Sequence, residues 1–444
     1  MKRYSTINQM DCRLKLNSLG VEIPEILLPK KIDLQKWSVI ACDQYTQDRG
    51  YWEKVKAAAS GASSTLDLIF PEVYLSDGDA AQRIADIHST MKRYLMEGIF
   101  AEPKRGVIYI ERDTPFQKKR RGLVAAIDLE QYDWKPEARP LIRSTEGTVE
   151  DRLPPRMDIR RGALLELPHV LLLIDDETNS LLPDLGERAK RKAPIYKTGL
   201  MMDSGSLSGW LVDDEDDFAF IAGKLEELKC RSENRYGCGQ PFLFAVGDGN
   251  HSLAAAKGIR EEYKKSHPAD TEHPCRYALV EIENIYDPAI QFEPIHRLVF
   301  GMGFDEAVSL LSGLPDFSRR DVDNTDELAR LSTQPSQGSR FGIISRGRYA
   351  LIETSAAGIA TACLQPLLDS TGRVIEYIHD NEELFRLASS AERPAAGILL
   401  PPVQKTGLFD TIARLGPLPR KSFSMGHSAE KRFYLECRRL SSEQ

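Results

Sequence analysis

The stretch "FAVGDGNHSLAAAK", Phe244 to Lys257, joins a short apolar run to an alanine-rich helical pattern through Gly-Asp-Gly-Asn-His-Ser. The run from Pro241 to Val246 is short and apolar, which suits a buried strand better than a helix. Gly247 and Gly249 bracket Asp248, so the chain can turn sharply there and bring its backbone close to a bound group. Beyond the turn, Ala255, Ala256, Ile259 and Tyr263 recur at spacings of three and four, the mark of one buried helix face. The segment reads as strand, tight turn, helix. At such a helix start the first amide hydrogens lack partners and the dipole favours negative charge, so a phosphate or carboxylate fits. Asn250, His251 and Ser252 add side-chain hydrogen bonds, and Asp248 offers a proton acceptor or a metal anchor. The plainer reading has Asp248 or Asn250 only capping the helix.

Outward from this segment, strand and helix signals alternate. Strands are expected at 106–111, 123–128, 169–174, 241–246, 276–282, 341–344, 349–353 and 374–378. Helical patterns lie at 80–97, 214–227, 251–265, 305–312 and 406–415. The chain is therefore read as α/β or α+β, a mixed sheet with flanking helices. The polar stretch from Asp316 to Ser339 is the expected boundary between a main portion, residues 1–315, and a smaller C-terminal portion, residues 340–444, that helps complete the site.

Composition sets the broad class. A chain of 444 residues with 41% hydrophobic and 28% charged residues is an ordinary globular protein of two or three domains. A net charge of −7 argues against a dedicated DNA-binding surface. Cys12, Cys42, Cys230, Cys238, Cys275, Cys363 and Cys437 are odd in number and contain no C-x-x-C pair, which reads as reduced thiols rather than disulfides or a zinc site. The first residues lack a signal-peptide pattern and no apolar run approaches a membrane span, so a cytoplasmic location is expected.

Four further clusters are richer in polar groups than turns require. In "WSVIACDQYTQDRGYWEKV" an apolar run delivers Cys42, Asp43, Gln44 and Tyr45 to a strand end, where ligand groups gather in α/β folds. The alternative is an Asp cap with Trp37, Tyr51 and Trp52 as core, and Cys42 as a buried inert thiol. In "IRSTEGTVEDRLPPRMDIRRG", Arg143, Arg152, Arg156, Arg160 and Arg161 put five guanidinium groups within nineteen residues. Such forks suit phosphate or carboxylate oxygens, although a solvated helix face laced with ion pairs has the same composition. Arg143, Thr145 and Glu146, in or beside "RSTEGT", are the selections. "FEPIHRLVFG" offers His296 and Arg297, against the alternative of a structural histidine with a surface arginine. "LPRKSFSMGHS" offers Arg420, Lys421 and Ser422 as a basic loop for phosphate.

Together, "WSVIACDQYT", "RSTEGT", "GDGNHSLAAAK", "PIHRLV", "YIHDNEEL" and "PRKSF" occur in the order and approximate spacing of a bacterial and archaeal family catalogued as domain of unknown function 1015. This resemblance spans about Pro29 to Phe423 but implies no reaction. Many members carry Asp-Gly-His-His-Arg at the turn, which resembles the loop of the ParB and sulfiredoxin superfamily that cradles nucleotide phosphates. That superfamily includes CTP-binding partition proteins, sulfiredoxin and free-serine kinases, and the likeness implies a ParB/sulfiredoxin-like core element. Asp248 and Gly249 match that pattern, Asn250 replaces the first His, His251 matches the second, and Ser252 replaces the Arg. The lost Arg implies either that Arg143, Arg297 or Lys421 substitutes as the phosphate clamp, or that a different anion binds.

The resulting expectation is phosphoryl transfer, by a kinase or phosphatase, on a small hydroxylated metabolite that is serine-like. Positioning and charge neutralisation dominate such chemistry. Gly247 to Ser252 would hold phosphate, with His251 or Asp248 as base or metal anchor and Glu146 or Asp43 as reserve base. Arg143, Arg297 and Lys421 would neutralise charge, His296 and Ser422 would line the site, and Mg²⁺ with ATP or ADP is the expected cofactor pair. A phosphorylated or anionic metabolite is the expected partner, with a homodimer compatible with the sequence and no nucleic acid or membrane. The alternatives are a nucleotide- or phosphometabolite-binding regulator without turnover and, third, a ParB-like DNA-binding protein or nuclease.

Overall fold

Runs in which both alternating faces are apolar produce a sheet that is covered on each side. The computed structural model describes residues 12–237, 240–334, 336–356, 359–390 and 394–441. It divides into two units, one made of Met1–Ile290 with His427–Gln444 and the other of Gln291–Gly426. The fold is mixed α/β in both. The division thus falls at 290 and 426 rather than in the polar stretch from Asp316 to Ser339. That stretch is built into the second unit as an edge strand, Ser318–Val322, and the helix Thr325–Ser332. Its charges are the exposed faces of these elements, which is why it resembled a linker. Cys238 lies outside the described residues, as do residues 1–11.

The first unit contains β1 (Val107–Asp113), β2 (Arg120–Asp128), β3 (Ile142–Ser144), α1 (Leu153–Arg160), β4 (Leu171–Ile174), β5 (Tyr196–Gly199), β6 (Ser206–Val212), α2 (Glu215–Tyr236), β7 (Phe244–Asp248), α3 (Asn250–Ser266) and β8 (Tyr277–Asn284). The strands form one sheet in the order β5-β6-β1-β2-β8-β4-β7-β3, closed at its edge by Tyr132–Asp133, with Val21–Glu22 paired beside β2. Pairing is parallel between β4 and β8 and between β7 and β3, and antiparallel along the rest of that path from β5 to β3. One face packs Leu123, Ala125, Val280 and Ile282 against α2 and α3 through Phe218, Leu225, Leu253 and Ala256. The opposite face packs Ile108, Ile110, Val124 and Leu279 with Trp37, Trp52, Tyr94 and the returning C-terminal residues Phe433, Tyr434 and Cys437.

That second face also carries charge. Glu281 and Glu283 of β8 stand side by side, 1% and 0% exposed, with Gly122 opposite Glu283. A Cβ at Gly122 would sit 2.3 Å from a Glu281 carboxylate oxygen, so only glycine leaves room for it. Arg120 Nε meets Glu283 at 2.8 Å, and Arg432 NH1 meets Glu281 at 3.0 Å while its other nitrogen bonds Glu436. Arg112 donates to the backbone oxygens of Ala429, Glu430 and Lys431. Ionisable groups removed from water this completely are tolerated because each meets a partner.

The second unit is an antiparallel sheet flanked by helices: β9 (His296–Phe300), β10 (Ser318–Val322), β11 (Ser339–Ser345), β12 (Arg348–Thr354), α4 (Ala360–Asp369), β13 (Ile375–Ile378), α5 (Asn381–Ser390) and β14 (Ala395–Leu399). Its order is β10-β12-β11-β14-β9-β13. The expected strands and helices are all present to within a few residues at most ends. The helix that begins near Asp214 runs further, to Tyr236.

Burial pushes the Glu283 carboxyl up to about 8, with Arg120 opposing and Glu281 adding to the rise. A carboxyl raised above its ordinary 4.5 contributes stability that is full below about that value and lost as pH rises through about 8. Glu283→Gln imitates the protonated form. Thermal melts from about pH 6 to pH 9 are expected to show the wild type losing a few °C relative to this variant on the alkaline side, since ~1 kcal/mol moves Tm by about 2–4 °C in domains of this size. Parallel curves would show that Glu283 does not take up a proton on folding.

Candidate functional site

Strand β7 ends in an irregularity that aims its last side chain. Leu172 faces Val246 while Leu171 faces Asp248, so Gly247 is the extra residue of a bulge and is extended rather than part of the turn. The turn itself is Gly249, at φ 78°, in the left-handed region. A Cβ there would also come within 3.0 Å of Val170 Cγ2 and 3.1 Å of Val170 Cα. Both conformation and space therefore demand glycine.

Gly249 is the residue that caps α3, and it makes no side-chain cap. Asp248 is not the cap: one of its carboxylate oxygens accepts the Gly249 N–H at 2.9 Å and the other meets Lys431 Nζ at 3.0 Å. Burial works against its charged form, but the Lys431 ammonium and the Gly249 N–H outweigh it and hold the carboxyl below its ordinary value. The seventeen-residue helix α3 thus starts with no side-chain oxygen drawn over its first amides. Its buried face is Leu253, Ala254, Ala255, Ala256 and Arg260, while Ile259 and Tyr263 are only half-buried.

The segment after β3 zips onto the helix start. Strands β3 and β7 are parallel with Ser144 beside Val246, so the "RSTEGT" turn emerges next to Gly249. Asn250 Oδ1 accepts from the Ser144 hydroxyl and from the Thr145 N–H at 3.3 Å, and Asn250 Nδ2 donates to Thr145 Oγ1 at 3.3 Å. His251 Nε2 accepts the Val149 N–H at 3.3 Å, which leaves the ring hydrogen on Nδ1 when the imidazole is neutral. Glu146 is half-buried in this turn, and Ser252 is half-buried in the first turn of α3.

A second polar wall stands on the other side of Asp248. His169 enters β4 beside the turn; its imidazole charge acts on both Asp248 and Glu72. Its Nδ1 lies 2.9 Å from the Tyr434 hydroxyl, whose oxygen accepts the Cys42 N–H at 3.1 Å. Glu72 N–H donates to the Cys42 carbonyl at 2.8 Å, and the Glu72 carboxylate pairs with Arg156 of α1, the helix packed along α3. Burial raises the Glu72 carboxyl above its ordinary 4.5; Arg156 opposes this and Asp43 adds to it. Asp43 itself accepts from Gln44 Nε2 at 3.0 Å. Burial, Asp43 and Glu72 also push the Cys42 thiol far up, so it is inert as a nucleophile.

Six sequence candidates therefore share the region of the turn: Asp43, Thr145, Glu146, Asp248, Asn250 and His251, with Gly247, Gly249 and Ser252 in its backbone. Arg143 is a correction. Its guanidinium binds the carbonyls of Pro140, Gln240 and Pro241 at 3.0–3.3 Å and lies 4.6 Å over the Phe242 ring, at the opposite end of β7. It serves as a backbone clamp. His296, Arg297, Lys421 and Ser422 belong to the second unit. His296 Nε2 is 2.6 Å from Asn381 Oδ1 and Nδ1 accepts the Leu400 N–H at 3.0 Å, while burial drives the ring down to about 4. Arg297, fully buried, donates to Gln365 at 2.8 Å and to the carbonyls of Ile295 and Lys421. The Ser422 hydroxyl donates to Pro419 O at 2.6 Å and accepts from Thr361 at 2.8 Å, and Lys421 is exposed. The cap of helix Arg49–Ala59 is Asp48, not Asp43. Glu72, His169, Lys431 and Tyr434 escaped the sequence reading, and Arg156 was seen only as one of five arginines. Among the described residues no group of three His, Cys, Asp or Glu side chains could hold a metal ion, and no helix is long and apolar enough to cross a membrane.

Breaking the Asp248–Lys431 pair leaves a carboxylate three-quarters withdrawn from water without its cation. Lys431→Met is expected to cost about 2 kcal/mol, below the range for a fully buried pair. In a double-mutant cycle with Asp248→Asn, read by urea melts, the second change should cost much less once the first is made. Additive losses would show that the pair contributes nothing.

A family model described as a protein of unknown function (DUF1015) matches residues 26–371. The search of curated proteins gives no match. Among solved structures, a conserved hypothetical protein from Pyrococcus furiosus aligns at 10% identity and TM-score 0.34, covering 72% of this chain and 95% of that one. Free serine kinase in complex with AMP aligns at 10% identity and TM-score 0.36, covering 74% and 95%. SbnI from Staphylococcus aureus, truncated at its C-terminus, aligns at 9% identity and TM-score 0.34, covering 68% and 82%.

Proposed function

The chain belongs to the DUF1015 family, and we propose that it is an enzyme of phosphoryl transfer between a nucleotide and a small hydroxylated metabolite that is serine-like. The observation that supports this most is the start of α3: a seventeen-residue helix whose cap is a left-handed glycine without a side chain. Phosphate oxygens fit such an end because several N–H groups converge there and the dipole favours negative charge. In this reading Gly249, Asn250, His251 and Ser252 hold the phosphate. His251 Nε2 already accepts from the Val149 N–H, so this reading does not use the ring as the base. Lys431, 3.0 Å from Asp248, keeps that carboxylate ionised while facing the same anion. It takes the place in the argument that Arg143, Arg297 and Lys421 held.

In-line transfer then needs an acceptor oxygen on the far side of the phosphoryl group and a carboxylate within its reach. Asp43 and Glu72 stand on the Cys42 side of Asp248 and His169, where such an acceptor would bind. Mg²⁺, if used, would be bound chiefly by phosphate oxygens with one or two of these carboxylates, as is usual for that ion.

A second reading is a phosphometabolite sensor without turnover. It is favoured by Ser252, a neutral hydroxyl where the superfamily pattern has an arginine clamp. Thermal shift with ATP, ADP, CTP, pyrophosphate, phosphoserine and free serine, with and without Mg²⁺, tests both. One phosphorylated ligand is expected to raise Tm, by an amount corresponding to about 2.7 kcal/mol at 100-fold its Kd. The rise should vanish in Asp248→Ala and His251→Ala. Phosphorus NMR of the same mixtures separates transfer from binding alone. A folded protein unmoved by every phosphate would sink both readings.

A further inference from the structure

We infer that Glu72 is the catalytic base of this site: its carboxylate takes the proton of the acceptor hydroxyl as that oxygen attacks the phosphoryl group at the Gly249 turn. The inference deepens the phosphoryl-transfer reading and rests on it. Neither the family nor any motif in the sequence points to this residue.

Glu72 is placed by backbone and side chain together. It follows Pro71 in a short 3-10 turn, and its N–H is bound to the Cys42 carbonyl at 2.8 Å, so it moves with the strand end that carries Asp43. Arg156 holds one carboxylate oxygen and is itself carried by the helix packed along α3. The other oxygen meets no donor among the described residues. A chain of contacts links Glu72 to the turn: Glu72 N–H to the Cys42 carbonyl, the Cys42 N–H to the Tyr434 hydroxyl, and that hydroxyl to His169, whose neighbour Val170 packs against Gly249. The Tyr434 contact fixes that imidazole in place.

The other carboxylates suit the task less well. Asp248 is tied to Lys431 and the Gly249 N–H, and its carboxyl is held down, so it is a weak proton acceptor. Asp43 is half-buried, as Glu72 is, and one of its carboxylate oxygens is already held by Gln44 Nε2 at 3.0 Å. Glu146 lies in the turn that follows Ser144, where its carbonyl accepts from the Ser144 hydroxyl at 2.9 Å. Burial and the Asp43 charge raise the Glu72 carboxyl above its ordinary value, which strengthens its carboxylate as a proton acceptor. In the step itself the O–H proton of the acceptor goes to Glu72, a bond forms from that oxygen to phosphorus, and the bond to the departing nucleotide oxygen breaks with its electron pair leaving on the nucleotide. Arg156 is a positioning residue that keeps the second carboxylate oxygen turned toward the acceptor.

Glu72→Gln keeps the shape and the Arg156 contact but cannot take a proton. With the donor and acceptor that the wild type turns over among ATP, ADP, CTP, pyrophosphate, serine and phosphoserine, kcat is expected to fall by about 10²- to 10³-fold. The nucleotide thermal shift should stay within about 1 °C of wild type, and the acid limb of the kcat–pH profile should disappear. Glu72→Asp, which keeps the charge but withdraws it, should lower kcat with KM little changed, and it serves if the Gln variant fails to fold. Arg156→Lys should give a smaller loss with the acid limb displaced rather than abolished. Turnover within threefold of wild type in Glu72→Gln overturns the assignment and leaves phosphoryl transfer standing. A wild type that neither binds nor turns over any of these phosphates overturns both.

Discussion

The return of the C-terminal segment onto the first unit is the constraint on which the rest of that unit depends. Asp248, Leu171 and Glu281 lie in one row across β7, β4 and β8, so the backbones of the two acids stand two strand spacings apart, about 10 Å. Lys431 meets the first and Arg432 the second. Two consecutive residues of the returning chain thus neutralise a row of acids that the sheet could not otherwise bury. Arg112 grips the carbonyls of that segment, and Phe433–Tyr434 pairs with Val39–Ile40, which brings Cys42, Asp43 and Glu72 to the same edge. Site and packing are therefore not separable here, because the cation facing Asp248 is delivered by the segment that closes one face of the core.

The strand, turn and helix at 244–266 were legible because their signals are local: apolar run, left-handed glycine, alanine-rich face. Arg143 was misread for an equally local reason. It adjoins "RSTEGT", but successive side chains of a strand point to opposite faces, so Ser144 reaches Asn250 while Arg143 turns back to Gln240 and Pro241. Glu72, His169, Lys431 and Tyr434 were illegible because nothing in their neighbours marks them. Glu72 follows a proline in an irregular stretch, His169 opens an apolar run, and Lys431 and Tyr434 are nearly 200 residues from the turn they serve. Their roles come from pairings between distant segments, which a single sequence does not display.

The motifs of the second unit were singled out as unusual and given to ligand. "PIHRLV", "YIHDNEEL" and "PRKSF" meet there to build polar supports of its interior. His296 spans Asn381 and the Leu400 amide, and Arg297 fastens the Lys421 carbonyl while lying 4.6 Å over Tyr377. A buried histidine held by two partners and pushed down to about 4 is neutral at physiological pH, a structural bridge rather than a proton carrier. Recurrent polar residues in a strand entering a core are as readily explained by the need to satisfy each buried donor and acceptor as by a reaction.

Within the first unit the same accounting separates carboxylates by task. Asp248 and Glu72 both sit largely out of water, and burial alone would raise both. What divides them is the number of donors each receives. Asp248 has an ammonium on one oxygen and a backbone N–H on the other, so its charge is fixed and its carboxyl held down. Glu72 has one guanidinium on one oxygen and a second carboxylate, Asp43, nearby, so burial prevails. The two carboxyls are thereby pushed in opposite directions, Asp248 toward its charged form and Glu72 toward its protonated form. That divergence in environment, rather than any single residue, is what the proposed acid–base chemistry would draw on.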